Sequence, residues 1–511
     1  MVETLTGTGR SEGVPYETLL DGDTHPVRPI LRETAPLPPS PSKVPVDRYY
    51  SREFHQIEVE KLWKKVWQMA CHEDDIPSVG DYHVYDIAGL SYLVVRSAEN
   101  EIRAFPNACL HRGRILKECS GKGAREFRCP FHGWAWKLDG ALHQVPCEWD
   151  FPKVSAESFN LPSVKVGRWG GMIFINPDEN AEPLEDFLGN LSDQFTLLPY
   201  ERRYKAVHVA KRLRCNWKLA QEAFMESYHV VATHPTILGW LGDANSKYDV
   251  FGNYSRAISP QDVMSPHANP AFVTNPPEGA REFTKLRHAL SGMVFERLDE
   301  GQVLVTAADG RTGTFDERGN HLDGDIRQAD PQMCNWVGGK QLPGVEDLPA
   351  RAVNSAPDAR AASAAKRREE LRGTLGDQVD SFSDAELIDS IYFSLFPNLS
   401  PWGSFNPIVY RFRPDGENPE QSIHEIMYFL PVPDGKPRPA PAEVHWLGLD
   451  DDYVNAPELG ALAKVFNQDS LNLPLVQKGL KSLKSGEVTL ADYQETKIRH
   501  FHMLLEKWVG L

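Results

Sequence analysis

Cys109-Leu110-His111-Arg112-Gly113 and, after a spacer, Cys129-Pro130-Phe131-His132-Gly133-Trp134 are the two segments whose reading decides the fold. Each offers one thiolate and one imidazole, as Cys-x-His in the first and Cys-x-x-His in the second. At these spacings a tight loop at a strand end aims both side chains the same way. Gly113 and Gly133 let the backbone come close to whatever the four side chains hold. Two thiolates and two imidazoles are the donors of a [2Fe–2S] centre in which Cys holds one iron and His the other; neutral imidazoles leave such a cluster less negative and raise its potential. Structural zinc is the competing reading. Zinc sites of this composition group Cys-x₂₋₄-Cys with His-x₃₋₅-His, and alternating Cys and His in both halves fits that badly. The other cysteines (Cys71, Cys119, Cys147, Cys215 and Cys334) do not join the pattern and read as ordinary buried thiols.

Around these segments the texture is that of a small all-β unit. Residues 82–85, 91–96, 102–105, 127–129, 134–138 and 172–175 are short β-branched or aromatic runs, several separated by turn signals such as Asp139-Gly140. Residues 68–180 are therefore read as one all-β domain. Upstream, residues 1–45 are rich in Pro, Thr and Ser and predict a coil or an arm lying on another surface. Residues 51–67 carry a helical pattern. Downstream, 183–235 reads as mainly helical and 240–345 as mixed and rich in turns. Residues 358–372 read as a solvated helix. Runs at 391–396, 408–412 and 425–430 predict strands of one antiparallel sheet, and 456–483, interrupted near Pro474, and 490–511 predict closing helices.

Bulk properties narrow the function class. The chain has 511 residues, a formal net charge of −16 and a sequence pI of about 5.6, which disfavours nucleic acid and anionic membranes as partners. No apolar run approaches the ~20 residues that span a bilayer, and the polar N-terminal stretch lacks a signal-peptide pattern, so a cytoplasmic location is expected. The 7 cysteines are too sparse for a disulfide framework.

A second constellation starts at Asn216-Trp217-Lys218 and runs through Glu222-Ala223-Phe224-Met225-Glu226-Ser227-Tyr228-His229 to Thr233-His234-Pro235. On an ideal helix two residues five apart point about 140° away from each other. His229 and His234 can converge only if the helix distorts or ends. Pro235 supplies the reason, because it pushes His234 out of the α region. Two neutral His and one carboxylate make the facial triad of non-haem Fe(II) oxygenases.

Together the two constellations resemble the ring-hydroxylating Rieske non-haem iron oxygenases. Their catalytic (alpha) subunit carries Cys-x-His-Arg-Gly … Cys-x-x-His-Gly-Trp, then Asn-Trp-Lys, Glu-Asn-Phe and Asp/Glu-x-Tyr-His-x₄-His. The resemblance implies an α+β chain: an all-β Rieske domain (68–180) inserted in a catalytic domain (1–67 with 181–511) whose antiparallel sheet is flanked by helices in the helix-grip manner. It implies a [2Fe–2S] cluster on Cys109, His111, Cys129 and His132, and a mononuclear Fe(II) on His229 and His234. The third iron ligand would be an Asp in a polar segment before the last helices, here Asp469 within Phe466-Asn467-Gln468-Asp469; Asp450, Asp451 and Asp452 read as a loop or helix cap. Glu226 takes the place of the carboxylate that bridges an iron His to the cluster of a neighbouring subunit, with His132 as its partner there. Ala223 departs from the pattern, where many relatives carry Asn.

The implied reaction is hydroxylation (cis-dihydroxylation, monohydroxylation or oxidative dealkylation) of an apolar or aromatic small molecule with O₂. Electrons would come from a separate NAD(P)H-dependent reductase, with or without a ferredoxin, since no Gly-x-Gly-x-x-Gly is present. The implied assembly is a homotrimer, with or without small β subunits. Two other classes stay in play at this point: a Rieske electron carrier without oxygenase activity, and a zinc-stabilised binding protein.

Overall fold

Alternation along one strand sorts the molecule into layers. In Ile408–Asp415, Tyr410 and Phe412 pack against Phe224, whereas Arg411 and Arg413 point the other way, donating to the backbone carbonyls of Met69, Ala70 and Asp86. Successive residues of a strand face opposite sides, so one face of this sheet meets the segment after Trp217 and the other meets the segment around residues 69–86. The computed structural model describes residues 13–511 apart from 156, 346–347, 354–355, 357, 404 and 434.

The sheet has eight strands, in the order Lys247–Phe251, Tyr254–Ser259, Ser390–Leu395, Leu399–Pro401, Ile408–Asp415, Asn418–Pro431, Arg203–Leu213 and His445–Leu447. Neighbours are antiparallel except the last pair, which is parallel. The helices Trp217–Glu222 and Thr496–Val509 lie against it, and the helix Leu462–Leu480 packs on Trp217–Glu222. This is the expected α+β arrangement of sheet and flanking helices.

The region around the cysteines folds as three small sheets of three strands, with Gln68–His72, Met172–Asn176 and Lys165–Trp169 in one, Tyr82–Ile87, Leu90–Ala98 and Glu101–Pro106 in the second, and Glu126–Arg128, Ala135–Lys137 and Leu142–Gln144 in the third. Leu93, Val95, Phe105, Phe127, Trp134 and Trp136 form its core, and Cys109 and Cys129 belong to the same cluster. It docks on the large sheet through charge. Arg411 and Arg413 reach across to its backbone carbonyls and Lys205 pairs with Asp75, while within the large sheet Glu425 holds the two guanidiniums in place, accepting from Arg411 at 2.6 and 2.7 Å and from Arg413 at 2.8 Å, all three side chains buried. Burial alone would raise the Glu425 carboxyl; the two guanidiniums outweigh it and hold the group well below the ordinary carboxylate range.

A separate five-stranded meander, Lys285–Arg287, Val294–Asp299, Gln302–Thr306, Thr312–Asp316 and His321–Gly324, fills the turn-rich middle. Phe295, Val303, Val305 and Phe315 give it a core shared with Met333 and Val337 of the helix Pro331–Gly338. The N-terminal arm lies along the sheet edge: Val250 N–H donates to the Ala35 carbonyl, and Lys247 Nζ to those of Leu31 and Glu33. It blunts an edge that would otherwise offer unpaired backbone. The first twelve residues of that arm lie outside the described residues.

Three expectations need correction. Residues 203–213, inside the stretch read as mainly helical, are an eleven-residue strand near the sheet edge. Its buried Arg203, Lys205 and Lys211 hide the apolar alternation that marks a strand. Pro474 does not interrupt its helix, which runs from Leu462 to Leu480 and buries Phe466, Leu473, Gln477 and Leu480; packing on both sides of the proline outweighs the one missing backbone bond. Cys119 and Cys147 are exposed, not buried, because the small sheets around them have too little core to cover their loops. Among the described residues, no helix is long and apolar enough to cross a membrane.

Candidate active site

The two Cys/His segments adopt one backbone form twice. Cys109 N–H donates to the Arg114 carbonyl (2.8 Å) and Gly113 N–H to the Cys109 carbonyl (2.8 Å); Cys129 N–H donates to Trp134 (2.8 Å) and Gly133 N–H to Cys129 (3.0 Å). Gly113 (φ 74°) and Gly133 (φ 77°) stand in the left-handed region, which explains why each loop needs glycine. The loops face each other. The Cys109 and Cys129 thiols lie within hydrogen-bonding reach, and burial pushes the Cys109 thiol up. The His111 and His132 rings stand 4.7 Å apart, centroid to centroid, with His111 stacked on Trp134 at 5.1 Å. Two thiols are thus inside and two imidazoles outside, with His132 exposed and Phe131 beside it 57% exposed.

His111 Nδ1 is buried with no hydrogen-bond partner. An unsatisfied buried ring nitrogen costs about 1–3 kcal/mol, and a metal in line with it would remove that cost. Four converging donors, two of them adjacent thiols, fit a two-iron cluster.

Some distance away, Asn216 caps the helix Trp217–Glu222 by accepting from Lys218 N–H at 3.0 Å, and Lys218 makes a fully buried ion pair with Glu58 at 2.6 Å. The chain then turns, resumes as the four-residue helix Val230–Thr233, and leaves it at His234 with φ −124° and ψ 55°. The histidines therefore sit on either side of a short helix instead of around one long one. Their rings lie 5.2 Å apart.

Helix Leu462–Leu480 brings up Asp469. Its Oδ1 is 3.0 Å from His234 Nε2 and 3.7 Å from His229 Nε2, and the ligand atoms of the three residues all lie within 4.8 Å of one another. Both Nδ1 atoms are engaged from behind. His229 Nδ1–H donates to Glu226 Oε1 (2.6 Å), whose other oxygen accepts His229 N–H (2.9 Å), and His234 Nδ1–H donates to Gln468 Oε1 (2.8 Å). That leaves both Nε2 atoms free to face a common point with the carboxylate. Burial acts to lower the His229 imidazole, but the Glu226 and Asp469 carboxylates outweigh it and lift it to about 9. The pocket is electrostatically built for a positive charge, and two imidazoles with one carboxylate suit a non-haem Fe(II) with open positions.

One cavity opens on this point and a second lies beyond Pro235 along the same long helix. A cleft of about 460 Å³ is walled by Ala223, Glu226, His229 and the C-terminal half of the Leu462–Leu480 helix from Asp469 on. A smaller cavity of about 190 Å³ is walled by Pro235, Trp240, Phe283, Trp336 and, from the same helix, Leu462 and Val465.

The structure brings Cys109, His111, Cys129 and His132 together in one place, and Glu226, His229, His234 and Asp469 in another. Of the alternatives to Asp469, two are engaged elsewhere: Asp451 accepts Gly448 N–H at 2.7 Å and Asp450 pairs with Arg214 at 2.7 Å. Sequence reasoning missed Gln468 and the aromatic cavity. Nothing in the local pattern marks either, because their partners lie more than a hundred residues away in the chain.

Comparisons agree with this anatomy. Residues 66–156 match the family described as "Rieske [2Fe-2S] domain", and residues 198–295 and 325–511 match "Ring hydroxylating alpha subunit (catalytic domain)". Among similar proteins, the choline monooxygenase of Beta vulgaris is 29% identical over 216 residues, 41% of this chain and 48% of that protein. The carnitine monooxygenase oxygenase subunit of Escherichia coli is 32% identical over 195 residues, 38% and 52% of the two chains. The anthranilate 1,2-dioxygenase large subunit of Acinetobacter baylyi is 33% identical over 199 residues, 37% and 41%. The chain spans about half the length of the curated relatives it matches. In fold it resembles the quaternary ammonium Rieske monooxygenase CntA in complex with L-carnitine (TM-score 0.51, 17% identity, covering 91% of this chain and 94% of that one). It also resembles naphthalene 1,2-dioxygenase from Rhodococcus sp. (TM-score 0.52, 20% identity, 91% and 94%). With its catalytic stretches matched over more than half its length and a Rieske domain ahead of them, the chain belongs to the ring-hydroxylating alpha-subunit family of Rieske oxygenases.

Proposed function

We propose that this chain is a terminal oxygenase that hydroxylates a small organic molecule with O₂ and externally supplied electrons. The observation that carries the reading is the convergence of His229 Nε2, His234 Nε2 and Asp469 Oδ1 on one point, each ring backed at Nδ1. A pure electron carrier has no use for that point, and the match to the catalytic family over 198–295 and 325–511 speaks for the oxygenase. In this reading Cys109, His111, Cys129 and His132 hold the [2Fe–2S] cluster of a domain spanning 68–180, and His229, His234 and Asp469 hold the mononuclear iron. Bound iron supplies the O₂ chemistry. The residues do the rest: Glu226 orients His229 and Gln468 backs His234.

The cluster of one copy would serve the iron of the next. Phe131 and Trp149 (83% exposed) stand out beside the cluster loops, while Tyr228, Val476 and Leu475 (67% exposed) stand out at the cleft that holds Glu226. Apolar tips on one region and an apolar rim on another favour a head-to-tail ring, a homotrimer with Glu226 facing His132 of the neighbouring copy. Trp240, Phe283 and Trp336 suit an apolar or aromatic substrate; relatives are named for choline, carnitine and anthranilate. A separate reductase, directly or through a ferredoxin, would charge the cluster.

Metal analysis and EPR of anaerobically purified wild type and His229→Ala test the reading. About three irons per chain and a reduced Rieske signal are expected, with one iron lost and the signal kept in the variant. A full Rieske signal with only about two irons in wild type after Fe(II) reconstitution would leave an electron carrier.

A further inference from the structure

Gln468 is completely buried and makes two hydrogen bonds through its side chain. Its Oε1 faces His234 Nδ1 at 2.8 Å, and its Nε2 donates to the Gln332 carbonyl at 3.2 Å. Gln332 answers, its own Nε2 donating to the Gln468 carbonyl at 3.4 Å. Gln332 stands in the first turn of the helix Pro331–Gly338, fixed by Asp330, which accepts Met333 N–H at 2.7 Å.

We infer that Gln468 is the positioning residue that decides which ring nitrogen His234 turns to the metal. The argument rests on the metal-site reading above. A backbone carbonyl accepts only, so the end of the Gln468 amide that meets Gln332 must be the NH₂ end. The oxygen is then the end that faces His234. An oxygen can bond Nδ1 only when Nδ1 carries the proton, and a neutral ring protonated there has its lone pair on Nε2. That atom is the one beside Asp469 Oδ1. Consecutive residues of one helix thus grip the two nitrogens of one imidazole, Gln468 from behind and Asp469 from the metal side. The device differs from the one behind His229, where the acceptor is the carboxylate of Glu226. A charged acceptor raises ligand basicity more than a neutral amide does, so the two histidines are unequal donors, His229 the stronger.

The test is Co(II) titration of protein stripped of its mononuclear iron but retaining the cluster, followed by visible d–d absorption. The variants are Gln468→Met, which keeps the bulk and removes the acceptor, and Gln468→Glu, which keeps an acceptor. The Met variant is expected to bind Co(II) about 10–100-fold more weakly than wild type, with the Rieske EPR signal unchanged. The Glu variant is expected to bind at least as tightly as wild type and to shift the d–d bands. Affinity in Gln468→Met within about threefold of wild type overturns the assignment, as does equal weakening in both variants, which is what a packing role alone would give. Unchanged bands in Gln468→Glu overturn it even where the Met variant does not fold. His229→Ala separates the two readings. If it binds Co(II) as well as wild type, the metal site itself is refuted; if only it loses the metal, the role of Gln468 alone fails.

Discussion

Replacing Glu425 by Gln keeps the shape of the side chain and strands two guanidiniums. Arg411 and Arg413 bond Glu425 at 2.6, 2.7 and 2.8 Å in a buried setting, with His208 Nε2 at 3.3 Å. Breaking a buried pair from one side costs about 3–5 kcal/mol, because the charge left behind has no counterion. For a chain of 511 residues the unfolding entropy is ~1.1 kcal/mol/K, so the melting midpoint of Glu425→Gln should fall by about 3–5 °C. Differential scanning calorimetry reads this directly. Arg438→Ala is the control: its two bonds to Asp74, at 2.7 and 3.0 Å, are an ion pair at a more exposed surface and should be worth under ~1 kcal/mol. The pH dependence has a definite sign. The folded Glu425 carboxyl titrates well below its unfolded value, so its contribution is complete above the ordinary carboxylate range, about pH 4.5, and is lost as pH falls through the lower folded value. Wild type and Glu425→Gln should therefore differ most near neutrality and converge in acid. A drop below about 1 °C for Glu425→Gln, or an equal drop for Arg438→Ala, would refute the reasoning that this buried carboxylate is the counterion the two sheet guanidiniums depend on.

Leu475→Glu puts a charge on the apolar rim of the cleft; with the proposed ring, wild type should run as a trimer and the variant as a monomer in size-exclusion chromatography with light scattering, at unchanged iron content. Gly113→Ala and Gly140→Ala should behave differently although both glycines have positive φ. A Cβ at Gly113 meets no protein atom within 4 Å, so the fold should lose only the backbone strain of about 1 kcal/mol, read as a small fall in the melting midpoint. A Cβ at Gly140 comes 2.6 Å from Phe105 in the domain core, and the midpoint should fall further, with loss of the visible cluster absorption.

What the sequence disclosed and what it hid divide along chain distance. The cluster loops are local: each Cys and His pair lies within three residues, and a glycine of fixed φ closes each loop, so spacing alone carries the geometry. His229 and His234 are local too, and Pro235 explains why the second leaves helical geometry. Asp469 was reachable only through family resemblance, since nothing in its neighbours points to histidines more than two hundred residues earlier. Arg203–Leu213 was illegible for a related reason. Its charged positions look like a solvated helix face until Asp75 and Glu425, far away in the chain, provide partners for Lys205 and His208. The meander around Val303 and Phe315 lies across the break between the two stretches matched to the catalytic family, and no motif announced it.

The long helix that carries Asp469 divides the traffic of the site. Its first half walls the aromatic cavity and its second half the cleft with Glu226. In the ring proposed above the cleft would face the neighbour's cluster, while the aromatic cavity lies along the other half of the helix. Exchange through that cavity would then not require any subunit to let go of the next. The lifetime of such a ring and the turnover time of its site would be set by different surfaces, and each could be altered without changing the other.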